Sequence, residues 1–506
     1  MTDKHTFSPA LSPLDGRYRD AVAPLTTWLS EEGLNQSRIQ VEVAWMIFAL
    51  NRRLIPGLEP LTEDQLHHLR SLHLFTDQAA RESLAAFVRE TRHDVKAVEY
   101  LIRHHLESMP SPAKNASENN GDHSLAELVH FLCTSEDINN LAYALAVKQA
   151  ITTVWLPAAE GLQRQIMEMS RRYARVPMLG RTHGQPATPT TVGKELRVFG
   201  ERMSERIARI RRTSYRGKFN GATGTFSAHT AVLPDVDWME TSRAFVESLG
   251  LHWSPVTTQI EPHDWQIELY GEITHFNRIA HNLATDTWGY ISLGYFRQNL
   301  AGQGSTGSST MPHKVNPIRF ENAEANFEMS DGILETLSRS LATTRFQRDL
   351  SDSSLQRNIG VGLGYSLVGI DALNKGLQHL EVDTEKTAAD LHQHPEVLAE
   401  AIQQALRLAT LVSQGPGTGW ETDGGTDAGS DADMPDSAHS VAAPDPYLLL
   451  KELTRGKQVN LEALREVVRE AALPESLRDT LLEMEPADYV GLAAELAEFD
   501  PNVEAL

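Results

Sequence analysis

The sequence predicts an all-α fold organised around a central bundle of long helices. Three observations predict it. Between residues 265 and 285, Leu269, Ile273, Phe276, Ala280 and Leu283 recur at spacings of four and three, the apolar seam of a helix packed along a neighbour. Leu196, Phe199, Met203, Ile207 and Ile210 repeat the rhythm, and neither stretch contains a proline. Alternating strand patterns are rare, and no βαβ rhythm with a G-x-G-x-x-G turn appears.

Three segments follow in order along the chain. Residues 1–124 form an N-terminal helical segment that ends in the polar, low-complexity run "PSPAKNASENNGDHS" (110–124). Residues 125–385 carry both seams and, near their end, a loop (301–317) that is rich in glycine where it begins and braced by proline where it ends. Residues 386–506 contain shorter helices interrupted at 415–445 by seven acids and no Lys or Arg, a composition expected to stay disordered at the surface. No repeat of 20–50 residues is visible.

Composition bounds the function. With 506 residues, 41% hydrophobic and 23% charged, the chain has the make-up of a globular protein of several domains. A net charge of −22, still −15 once the seven acids of 415–445 are removed, excludes a generic nucleic-acid binder. It also requires that any anionic substrate find its positive charge locally. The N-terminal residues lack an apolar signal core, and no run approaches the roughly 18 apolar residues of a membrane span. The single cysteine, Cys133, rules out an internal disulfide framework and fits a reducing compartment, so cytoplasm is the expected location.

Six stretches concentrate hydroxyl, imidazole, amide and cationic groups: "DGRY" (15–18), "TRHDVKAVEY" (91–100), "TSEDINN" (134–140), "RTHGQPATP" (181–189), "GSSTMPHKVNP" (307–317) and "RFQRDLSDSSLQRN" (345–358). Each has a plain structural reading. Thr134 and Asp137 make a capping box, and a lone His93 or His183 is more often a surface or helix-end histidine than a catalyst. Their joint occurrence favours chemistry. The glycine loop lacks the Lys-Ser/Thr of a phosphate-binding loop. His67–His68, His104–His105 and His392/His394 lack the i, i+4 pairing of a zinc site. With neither metal nor cofactor expected, the chemistry falls to side chains, and hence to proton transfer.

Ser308, Ser309, Lys314 and Asn316 together offer hydroxyls, a cation and an amide. That set suits a carboxylate that gains a second negative charge as the neighbouring C–H is deprotonated. Ser308 would serve as base only in a dry site beside a cation such as Lys314, and closure of the loop would supply the drying. His183 suits the acid that protonates the leaving group. The residues alone leave the protonation states of His93 and His183 open, and with them an exchange of their roles.

"GSSTMPHKVNP" resembles the signature of the fumarase/aspartase superfamily. Together with "SPLDGRY", "HDVKAVEY", "CTSEDINN", "RTHGQPATP", "TTQIEPHD" and "LTRGK", it resembles the bacterial-type adenylosuccinate lyase family from about residue 8 to the C-terminus. The resemblance implies a three-domain fumarase/aspartase-like fold and elimination of fumarate from adenylosuccinate and from the succinyl-carboxamide ribotide SAICAR. It implies Ser308 as general base and His183 as general acid. Substrate contacts carried over by motif are Arg17, Tyr18, Arg92, His93, Asp94, Thr134, Ser135, Gln259, Lys314, Asn316, Asn322, Arg348, Ser353 and Arg357, the last two at the phosphate end. It further implies a homotetramer whose helices form one core and whose sites are shared between chains, with no nucleic-acid or membrane partner. The loop at 301–310 departs from the usual form: it is longer, richer in glycine, and carries Gln303 where an acid is common.

Overall fold

The structure is a computed structural model that describes residues 10–58, 60–72, 78–107, 125–299, 311, 313–413, 447–448, 450–451 and 459–499. Among the described residues helices dominate, strands are confined to three two-stranded sheets, and no helix is long and apolar enough to cross a membrane. The all-α expectation holds. Both seams fall on long helices, Val192–Arg211 and Asp264–Ser292. The five seam residues of the second are at most 2% exposed, because a 4–3 spacing lines one face of a 3.6-residue helix.

The chain forms two compact units. One comprises 1–163, 202–288 and 316–378; the other comprises 164–201, 289–315 and 379–506. In the first, the helices Ile318–Leu341 and Ile359–Gln378 pair closely and antiparallel for a reason written in the sequence. Gly362, Gly369 and Gly376 recur every seven residues, and a Cβ on each would lie 2.8 Å from Leu334, 2.7 Å from Phe327 and 3.0 Å from Phe320, respectively. Those partners also recur every seven residues, and all three are fully buried. Each glycine costs about 1 kcal/mol of helix propensity relative to alanine, offset here by seating a large apolar side chain against bare backbone.

Helix Ser135–Ala150 runs through a π-turn, Ile151–Trp155, into Leu156–Arg172. Pro157 explains the turn: it has no N–H to donate and its ring crowds the preceding turn, so the wider π geometry relieves the clash. The turn also buries Trp155, whose indole N–H donates to Ser366 Oγ at 2.9 Å. In the N-terminal part, Ile39, Val43, Met46 and Leu50 of helix Glu31–Asn51 pack with Val98, Ile102 and Leu106 of helix Asp94–Glu107.

The second unit holds an antiparallel hairpin, Pro177–Thr182 with Gln185–Thr191, that the sequence reading did not foresee. Pro186 and Pro189 argue against a strand, but a two-stranded ribbon leaves each strand an unpaired edge where a missing N–H costs no ladder bond. Its core gathers Leu391, Val397, Ile402, Leu464, Val468 and Leu481 from the C-terminal helices, with Leu179 of the hairpin.

Candidate active site

In the first unit, five stretches far apart in sequence converge on one chain of alternating charges. Asp94, opening the helix Asp94–Glu107, accepts from Arg38 Nη2 at 2.8 Å and Arg357 Nη2 at 2.9 Å on the same Oδ2. Arg38, only 3% exposed, donates also to Asn35 and Asn139, both at 2.8 Å. Asn139 donates to Glu136 at 3.0 Å, Glu136 accepts from Arg348 at 3.0 Å, and Arg348 reaches Asp352 at 2.7 Å. Asp352 ends the chain beside His263 Nε2 at 3.4 Å. Arg357 Nη1 is held in turn by Glu31 at 3.0 Å. Sharing one carboxylate fixes two guanidiniums at once, as planar forks with several donors do well.

The charges respond to this packing. Burial opposes ionisation of Asp94, but Arg38 and Arg357 outweigh it and hold the carboxyl below its ordinary value. Asp352 behaves likewise, burial being overcome by His263 and Arg348. Glu136 goes the other way: burial raises it, and Arg348 recovers only part of the shift. Tyr143, lying among the same charges, is pushed up to about 12 by burial.

Other expected residues fall beside this chain. Tyr18 caps the helix Arg19–Leu29, and its hydroxyl accepts from Asn322 Nδ2 at 2.8 Å, joining "DGRY" to the helix that follows the signature. Thr134 caps the helix Ser135–Ala150, and its N–H donates to Asp137 at 2.9 Å, so the capping-box pairing and the site motif coincide. Gln259 donates through Nε2 to the Ala222 carbonyl at 2.8 Å, and its N–H reaches the Gln347 carbonyl at 3.2 Å, beside Arg348. His93 Nδ1 accepts the Lys96 N–H at 3.2 Å. Ser353 lies on the short helix Ser351–Gln356, half-buried. Arg17 and Arg92 are exposed, Ser135 begins its helix, and Asn316 immediately precedes Pro317, the cap of Ile318–Leu341.

His183 and Lys314 belong to the second unit. His183 sits with Gly184 at the exposed tip of the hairpin, at φ 52° and 73°, the two left-handed residues that a tight two-residue turn demands. The hairpin stem is anchored by Arg181, which donates to Asp390 at 2.7 Å, and by Thr188, which donates to Glu400 at 2.6 Å. Lys314 is exposed. Ser308, Ser309 and "LTRGK" (453–457) lie outside the described residues, as do 110–124 and 415–445.

Some residues of the quoted motifs also adopt left-handed backbone. Arg92, His183, His263 and Phe346 are non-glycine residues at φ 52°, 52°, 64° and 49°. Such conformations cost on the order of 1–3 kcal/mol each and persist where surrounding contacts over-determine them, often at sites of function. The sequence reading missed Arg38, Glu136, His263 and Asp352 as members of the site. The last three lie inside quoted motifs, so density of polar groups could have flagged them; Arg38 sits in an ordinary helical stretch and carries no such signal.

Comparison with known proteins gives a consistent result. A family model described as Lyase matches residues 16–327, and one described as Adenylosuccinate lyase C-terminal matches 344–422. The chain is 39% identical over 489 residues to a protein of Escherichia coli (strain K12) named adenylosuccinate lyase, covering 97% of this chain and 98% of that one. A protein of the same name from Haemophilus influenzae is 38% identical over 97% of this chain and 98% of its own length. Among solved structures, fumarate lyase from Mesorhizobium sp. BNC1 superposes with a TM-score of 0.68 at 18% identity, covering 95% of this chain and 96% of that one, a likeness of fold.

Proposed function

The chain belongs to the adenylosuccinate lyase family, and from that premise we propose that it eliminates fumarate from adenylosuccinate, giving AMP, and from SAICAR, giving its carboxamide product AICAR. What carries this reading is that relatives named adenylosuccinate lyase match 97% of the chain at 38–39% identity. In the proposed step Ser308 takes a proton from the carbon beside a succinyl carboxylate, and the electron pair left behind forms the double bond of fumarate. The C–N bond breaks and His183 protonates the departing nitrogen, so no group outside the chain is consumed.

The elimination requires positive charge beside the substrate's carboxylates and phosphate. A substrate with two carboxylates and a phosphate is strongly anionic, and the protein around it is acidic. Arg17, Arg92, Lys314, Arg348 and Arg357 would supply the local positive field, with Thr134, Ser135, Tyr18, Gln259, Asn316, Asn322 and Ser353 as uncharged partners. Asp94 then acts less by touching substrate than by aiming Arg357, the proposed phosphate ligand, through the oxygen it shares with Arg38. His93, whose Nδ1 accepts the Lys96 N–H, has its Nε2 left to meet the substrate.

The same proposal takes the protein to be a cytoplasmic homotetramer with sites shared between chains, organised along the sequence as 1–124, 125–385 and 386–506. An exposed His183 at the tip of an anchored hairpin suits delivery into a site built elsewhere. The deciding experiment follows AMP and fumarate by absorbance, with Ser308→Ala and His183→Ala beside the intact protein. Loss of kcat by about 100-fold or more in both, with unchanged assembly, is expected. No turnover by the intact tetramer, or near-normal turnover in either variant, defeats the reading.

A further inference from the structure

Asp137 and Lys218 make an ion pair with Nζ–Oδ1 at 2.8 Å, and both side chains are fully buried. A pair with no solvent on either side persists only if its remaining hydrogen-bonding capacity is met. Here it is met by the backbone. Asp137 Oδ1 accepts the N–H of Asn220 at 3.0 Å, and Oδ2 accepts that of Gly221 at 3.1 Å and that of Thr134 at 2.9 Å. Lys218 Nζ donates back to the Gly221 carbonyl at 3.2 Å.

The partners come from two elements far apart in sequence. Thr134 caps the helix Ser135–Ala150. Asn220 and Gly221 open a loop that passes so close to 257–258 that a Cβ on Gly224, at φ 72°, would lie 2.2 Å from the Thr257 carbonyl oxygen. Asn220 Nδ2 ties the loop to Thr257 Oγ1 at 2.8 Å, and the Ala222 carbonyl accepts the Gln259 carboxamide at 2.8 Å. One carboxylate therefore bonds the helix cap on one side and, on the other, the loop that orients Gln259.

We propose that Asp137 and Lys218 are positioning residues that hold Thr134 and the Gln259 carboxamide at a fixed mutual placement, so that substrate meets a pre-set pair of contacts without touching the ion pair. This rests on Thr134 and Gln259 binding substrate, as proposed above. A merely structural pair affects stability; a positioning pair affects substrate affinity, and does so through Gln259.

The test uses the paired variant Asp137→Asn/Lys218→Met, which leaves no unpaired buried charge. The variant is expected to keep a native circular-dichroism spectrum and assembly, to raise KM for adenylosuccinate about tenfold, and to change kcat by less than about threefold. Combined with Gln259→Ala, its effect on kcat/KM is expected to fall well short of additive. An unchanged KM in the folded variant, or full additivity, overturns the inference. Asn220→Ala keeps the ion pair and cuts the loop from Thr257; it is expected to raise KM in the same direction, and an unchanged KM there also overturns the inference. If the intact protein turns over no adenylosuccinate, the proposed function falls instead. A crystal structure of the paired variant then decides placement alone: a Gln259–Ala222 bond left in place overturns it.

Discussion

His130 occupies φ 62° in the loop before Thr134, with its ring Nδ1 at 2.6 Å from Glu42 Oε1 and its N–H donating to Glu42 Oε2 at 3.1 Å. Burial works against the charged ring, but the fully buried Glu42 prevails, aided by Glu99 and Asp137, and raises the histidine above its usual 6.5. A raised histidine adds stability that is fully present below about 6.5 and is lost as pH climbs through the higher folded value. Thermal melts of the intact protein and Glu42→Gln are therefore expected to differ most near pH 6 and to converge at alkaline pH. A difference that grows with pH would contradict the pairing. At Asp94, replacement by Asn removes the charge shared by two guanidiniums; kcat/KM is expected to fall about tenfold, roughly 1.4 kcal/mol, mainly through KM. A change confined to kcat would make Asp94 a participant in the chemistry and not an aligner of Arg357. At this scale the sequence was legible wherever polar residues crowd together, as in "TSEDINN" and "RFQRDLSDSS". It was silent for Arg38, because a buried arginine in a helix looks like any other until its partners, Asp94 and Asn139, are brought to it from 56 and 101 residues away.

Among elements, the long helices were legible because a 4–3 apolar spacing needs no tertiary information. The hairpin was not: its prolines count against a strand, and the turn signal, His183-Gly184, uses a histidine where asparagine or aspartate is usual. The glycine ladder was present in the sequence at 362, 369 and 376 but went unread, since a glycine's meaning depends on what faces it. Gly369→Val drives a branched side chain into the Phe327 ring, and a loss of roughly 1–3 kcal/mol is expected, against the gain an open helix position would show. Denaturant unfolding measures it, and a neutral result would mean that the two helices can move apart. Gly289, which has nothing within 4 Å of a built Cβ and lies on the helix Asp264–Ser292, is the control: Gly289→Ala is expected to be neutral or stabilising.

For the whole molecule, similarity to adenylosuccinate lyases over 97% of the chain shows the family, and the proposed tetramer rests on that membership. Sedimentation is expected to give a tetramer in dilute solution, and deleting 415–445 is expected to leave both assembly and kinetics unchanged. The chain's path has a consequence of another kind. Both units are discontinuous: the polypeptide passes between them at 163/164, 201/202, 288/289, 315/316 and 378/379. On the ribosome, the first unit stays unfinished until the helix Ile359–Gln378 emerges to receive Phe320, Phe327 and Leu334. Until then, the face that carries Phe320, Phe327 and Leu334 lacks the glycine helix that covers it, and apolar surface left open in this way favours aggregation. Each unit is assembled from three separate stretches, so no single cut can divide the chain into one unit and the other.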